Sequence, residues 1–129
     1  MFPNYPAVFL SALLLSIVAM LNDAVISHIL QSHFGEKQQH WWAIANRYLF
    51  INSALLLICS FLPRLRFVGL CLGLIILACL LFSGSLYALS ILERPLVPML
   101  TPTAGLSMIV LWCGLWGVCL FNFKKKYYE

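Results

Sequence analysis

A chain of 129 residues that is 63% hydrophobic and 9% charged, with a mean hydropathy of +0.96, lies far outside soluble domains, in which about a quarter of the residues are charged. It reads as an integral membrane protein, and four spans of about 20 residues leave no length for a separate soluble domain. The net charge of +4 does not imply a nucleic-acid partner, because three of the eight basic residues are the run Lys124-Lys125-Lys126, which suits anionic lipid at the end of a span better than a phosphate backbone.

Met1 to Pro6 holds no lysine or arginine, and no small-x-small cleavage site follows the apolar run from Ala7 to Leu21. An uncleaved first span is therefore expected over residues 7–30. Along it Ala12, Ser16, Ala19, Asp23 and Ser27 recur at helical spacing, a small or polar stripe that should face the bundle. Gln31 to His40 is polar, with Gly35 as a turn signal and Glu36 and Lys37 as solvated charges. Trp41 and Trp42 mark a membrane interface, and a second span is expected over residues 41–62.

Pro63-Arg64-Leu65-Arg66 is a tight turn into a third span, residues 67–92, which carries no charge. On a 3.6-residue wheel Gly69, Gly73, Ile76, Leu80, Gly84 and Tyr87 fall within about one sixth of the circumference. The seam they form lets another helix approach closely. Glu93-Arg94-Pro95, with Pro98 and Pro102, is expected to break the helix. The fourth span, residues 103–123, has Gly105, Gly114 and Gly117 for close packing and Trp112 and Trp116 one turn apart on one face. The fold expected is all-α, a single membrane domain built as an antiparallel up-down bundle of four transmembrane helices. Arg64, Arg66 and the three lysines lie on the side of the termini, against Lys37, Arg47 and Arg94 on the other, which favours both termini in the cytoplasm of a bacterial inner membrane.

With that topology Asp23, Arg47, Ser85, Tyr87 and Ser107 share one level, about 6 to 11 Å beneath the outer surface. Asn22, Ser27, His28, Asn46, Asn52, Ser83, Thr101 and Thr103 lie in or near it. A charge at bilayer depth is costly and turns inward to a partner or water. Asp23 and Arg47 are therefore expected to form an ion pair or shared network with Ser83, Ser85 and Tyr87. In the competing arrangement Arg47 snorkels outward past Trp41 and Trp42 while Asp23 is hydrated at the interface. Such a layer can be a binding site or structural glue.

No cofactor is expected. His28, His33 and His40 lack the i, i+4 pairing of a helical metal site, and His28 fits the polar layer better. The cysteines Cys59, Cys71, Cys79, Cys113 and Cys119 contain no Cys-x-x-Cys pair and read as small hydrophobes. Ser83 and Ser85 lie within a helix rather than on a strand-turn-helix elbow, so no catalytic serine is expected.

The run Leu81-Phe82-Ser83-Gly84-Ser85-Leu86-Tyr87, followed by Thr101-Pro102-Thr103-Ala104-Gly105, resembles the double signature of the YgdD-like small integral membrane proteins (domain of unknown function 423). The Trp41-Trp42 to Tyr48 segment and His28 also fit. The glycine-rich end of the first span is replaced here by Asp23-Ala24-Val25-Ile26-Ser27-His28, and Asn52 stands where the family often has a second histidine. The resemblance implies a four-helix membrane fold and supplies no activity. The expectation is a non-enzymatic protein of the lipid bilayer, a homo-oligomer or part of a larger membrane complex. The alternative is a small oligomeric transporter or channel using the Asp23 and Arg47 layer.

Overall fold

The structure, a computed structural model, describes residues 2–30, 32–94 and 99–128, apart from the side chains of Ser27, Leu30 and Tyr128. Four helices follow one another: α1 (Pro6–Val25), continued by a π-helical turn over Ile26–Leu30, then α2 (Glu36–Cys59), α3 (Val68–Leu92) and α4 (Leu100–Tyr128). All four are long and apolar enough to cross a membrane. The chain is an all-α bundle of the expected class.

Local chemistry sets the ends. Pro6 opens α1, where its missing N–H costs no hydrogen bond. The second helix begins at Glu36 rather than Trp41, because the Gly35 N–H donates to Gln38 Oε1 at 2.9 Å and Glu36 lies on the positive end of the helix dipole. The polar segment is thus shorter than the sequence implies. The same helix stops at Cys59, and Phe61 and Leu62 turn back to bond the carbonyls of Ile58 and Cys59. The third helix is bracketed by left-handed residues, Phe67 at φ 68 and Glu93 at φ 60. The fourth starts at Leu100, so Pro102 sits in its first turn rather than breaking it, among N–H positions that have no helical partner in any case. Lys124, Lys125 and Lys126 are helical too. Pro95 and Pro98 lie outside the described residues.

Each helix packs on the next, and α1 also touches α3. At the end near the termini the core is Val8, Ala12, Leu56, Val68, Leu72, Ile75 and Leu115. Toward the other end it is Leu15, Ala19, Leu49, Ala78, Cys79 and Met108. Ala12, Ser16 and Ala19 of the α1 stripe face inward. The glycine seam of α3 does not. Gly69, Gly73, Leu80 and Gly84 are exposed, and the interior is met by Val68, Leu72, Ile75, Cys79, Ser83, Leu86 and Ser90. Serine hydroxyls must find an acceptor away from lipid, whereas a glycine in a helix leaves no polar group unsatisfied, so the serines decide which face turns in. A Cβ added at Gly69 would meet the Tyr5 ring of the N-terminal segment rather than another helix.

The N-terminal segment is fastened to the α2–α3 turn. Tyr5 N–H donates to the Ser60 carbonyl at 3.0 Å, Asn4 Nδ2 donates to Phe61 and Leu62 carbonyls at 3.2 and 2.9 Å, and Arg64 Nε donates to the Asn4 carbonyl at 3.2 Å. An edge-on contact of Phe9 with Phe61 extends the seam into the bilayer.

Candidate functional site

The polar residues gather at the end of the bundle remote from the termini. Asn46 of α2, only 7% exposed, accepts the Tyr87 hydroxyl proton of α3 at its Oδ1. Asn22 of α1 also lies beside that hydroxyl. Trp42 crosses between the helices, its Nε1 donating to the Asn22 carbonyl at 2.9 Å and its ring 4.6 Å from that of Tyr87. Ser83 donates to the Ala45 carbonyl at 3.1 Å. Ser85 donates to its own helix at Phe82 O, 2.8 Å away, and shares a 2.6 Å hydrogen bond with Thr101 of α4. Gln38 Nε2 donates to the Ser90 carbonyl at 2.7 Å and ties the start of α2 to the end of α3. Short polar side chains thus reach across each helix pair.

Asp23 and Arg47 stand at the edge of this inner cluster, with Asp23 within electrostatic range of the Tyr87 hydroxyl. Both are exposed and line a groove of about 410 Å³ on the outer side of the α1–α2 contact, with Ala19, Met20, Ala43, Asn46 and Phe50. Arg47 forms no hydrogen bond or ion pair among the described residues. In place of the expected ion pair joined to Ser83, Ser85 and Tyr87 there is a buried interhelical network with a charged groove beside it. Asn46 belongs to both. The long arginine side chain can reach the aqueous interface from the outer face of its helix, which makes lateral exposure cheaper than inward burial.

Asn52 is not in the outer cluster either. It lies nearer mid-span, 3% exposed, with Nδ2 donating to Tyr48 O at 2.7 Å and Oδ1 accepting Trp112 Nε1 of α4 at 2.7 Å. A second link at that depth is Ser16 Oγ donating to Ser53 Oγ at 2.9 Å. Trp112 is half-buried against α2, while Trp116, one turn further on, is 69% exposed. His28, His33 and His40 are exposed. Gly105 packs against the Phe82 ring, whereas Gly73 and Gly84 face open space.

Trp42, expected from its type in an interfacial belt, also bridges α1 and α3, a role visible in its contacts with Asn22 and Tyr87 after folding. The arrangement has the features of register control.

A search of curated proteins and one of solved structures give no match. The profile of a family described as Protein of unknown function (DUF423) matches residues 22–105. That stretch contains Asn22, Trp42, Asn46, Ser83, Ser85, Tyr87 and Thr101, the residues that lock the remote end of the bundle, and it leaves out the fastened N-terminus and the lysine-bearing end of α4. Because the match spans about two thirds of a chain whose four helices can each cross a membrane, this protein belongs to the DUF423 family.

Proposed function

We propose that the protein is a non-enzymatic accessory subunit of a bacterial inner membrane, with both termini cytoplasmic, that associates with its own copies or with a larger membrane complex through the outer seam of α3. The observation that carries this reading is the open space over Gly73 and Gly84, where an added Cβ would meet nothing within 4 Å. Helices in lipid associate through such backbone-exposing faces, because close approach recovers dispersion that bulky side chains prevent. The interior of one chain gives the reading further support, since Leu49, Leu56, Leu72 and Ile75 are fully buried there and fill the middle of the bundle.

Crosslinking and native mass analysis in mild detergent test it. The wild type should show a homo-oligomer or a stoichiometric partner. Gly73→Leu with Gly84→Leu should abolish that species while leaving the helical content and melting temperature of the single chain unchanged. An assembly that survives both substitutions overturns the seam as an interface. Ion or solute flux in liposomes that Asp23→Asn abolishes would replace this reading with a transporter.

A further inference from the structure

Two cations at the end of the bundle near the termini share a groove that the packing of the chain leaves open. The groove, of about 480 Å³, runs between the start of α3 and the last turns of α4, with Arg66, Phe67, Gly114, Gly117, Phe121 and Lys125 in its lining. The Arg66 guanidinium lies over the Phe67 ring, 4.8 Å from its centroid, a contact that supplies no hydrogen-bond acceptor for its N–H donors. Lys125 has no partner among the described residues. The described carboxylates, Asp23, Glu36 and Glu93, belong to the opposite end of the bundle, so none of them neutralises either charge.

Length decides between kinds of occupant. Gly114 and Lys125 lie on one continuous helix, about 16 Å apart along its axis at the helical rise of about 1.5 Å per residue, which matches one leaflet of the ~30 Å hydrocarbon core. Over that distance the lining passes from cationic to apolar. Arg66 and Lys125 stand at the outer end, Phe121 and Val118 follow, and Gly117 and Gly114 come last, where an added Cβ would meet nothing within 4 Å. A charged mouth above an apolar floor of leaflet depth fits a phosphate ester carrying an acyl chain, not a soluble anion. Two uncompensated positive charges favour a lipid of net negative charge, because the same two groups would repel the ammonium of a zwitterion. A second copy of the chain would bring its own basic end to this level, with no described carboxylate to oppose Arg66 and Lys125.

We propose that this groove binds one anionic glycerophospholipid of the leaflet on the side of the termini. Arg66 and Lys125 hold the phosphate, and one acyl chain lies over Phe121, Gly117 and Gly114. Of the three successive lysines only Lys125 takes part, since Lys124 lines a separate groove with Leu120, Phe123 and Tyr127 and Lys126 lies over the Tyr127 ring at 5.8 Å. No glycine of the α3 seam lines this site, and the assignment does not rest on that seam.

Native mass analysis of the full chain in mild detergent, titrated with phosphatidylglycerol, phosphatidylethanolamine and phosphatidylcholine of matched chains, tests it. The wild type should take up one phosphatidylglycerol about tenfold more tightly than either zwitterion, the value of one charge-assisted hydrogen bond. Arg66→Gln with Lys125→Gln should erase that preference. Lys124→Gln with Lys126→Gln removes the same charge from outside the groove and should keep it, and Gly114→Leu, which fills the floor without touching a charge, should weaken uptake several-fold. All five positions are exposed, so the variants should keep wild-type helical content and elution, which circular dichroism and size exclusion check. Equal loss in the two charge-matched pairs would mean diffuse attraction to the lysine-bearing end and would overturn the site. So would equal uptake of the three lipids, uptake unchanged by Gly114→Leu, or displacement of the lipid by soluble glycerophosphate. A dimer that Gly114→Leu dissociates would give the groove to a second copy instead.

Discussion

Asn52 shows what one polar side chain does at mid-span. It answers its own helix at Tyr48 O and a distant one at Trp112 Nε1, so both halves of its amide are used and α2 is joined to α4. In a double-mutant cycle with Asn52→Ala and Trp112→Phe, the coupling should be about 0.6 kcal/mol and not above about 1.7, the range for interhelical hydrogen bonds in membrane proteins. Reversible unfolding in mixed micelles measures it. Asn52→Ala alone should cost more than Trp112→Phe, because it leaves an indole N–H stranded in an apolar setting. At the end of α3 a different residue-scale effect operates. Glu93 is held at φ 60, a conformation that strains a side chain with a Cβ, and its N–H caps the helix through Leu89 O at 2.9 Å. Glu93→Gly should therefore raise stability by about 0.5 to 1 kcal/mol in the same unfolding measurement.

Among the elements, α4 illustrates why glycines of similar appearance have different consequences. A Cβ on Gly105 would lie 3.1 Å from the Phe82 ring, while one on Gly114 would meet nothing within 4 Å. The ring cannot swing away freely, since Tyr48 holds it edge-on at 5.4 Å. Gly105→Ala should accordingly leave the protein about 1 kcal/mol less stable than Gly114→Ala, the overpacking cancelling the helix-propensity gain that only the second variant keeps. Thermal melts in one detergent compare them. Spacing along α3 put Gly69, Gly73 and Gly84 on a common face correctly but could not say whether that face turns toward the chain or away from it. That decision is marked by Ser83, buried, whose hydroxyl donates to Ala45 O on the neighbouring helix.

For the molecule as a whole, the fastening of the N-terminus to the α2–α3 turn sets one end of the bundle, as the network of Trp42, Asn46 and Tyr87 sets the other. Asn4→Ala removes the two bonds to Phe61 and Leu62 and should increase amide exchange over residues 60–66 while leaving exchange in the middle of α3 unchanged. Hydrogen–deuterium exchange with mass detection shows the difference. Because α1 and α2 are joined by a short segment and α2 and α3 by the Pro63 turn, successive helices run in opposite directions. Single cysteines placed at Arg64 and at Glu36 in a cysteine-free background should therefore be labelled by an impermeant reagent from opposite sides of the membrane.

Hydropathy and charge alone determined that there are four apolar spans, where the short connections fall and which residues are polar at depth, since those follow from what hydrocarbon tolerates along one chain. Tertiary structure alone decided which polar residues meet. Arg47 is next to Asn46 in the chain, yet rotation of α2 about its own axis leaves Arg47 on the groove beside Asp23 and turns the Asn46 amide inward to Tyr87. The span sequences are apolar on nearly every side, so no periodicity marks that rotation. It is settled by which short polar groups can find a carbonyl or amide on the adjoining helix, and that depends on all four helices at once.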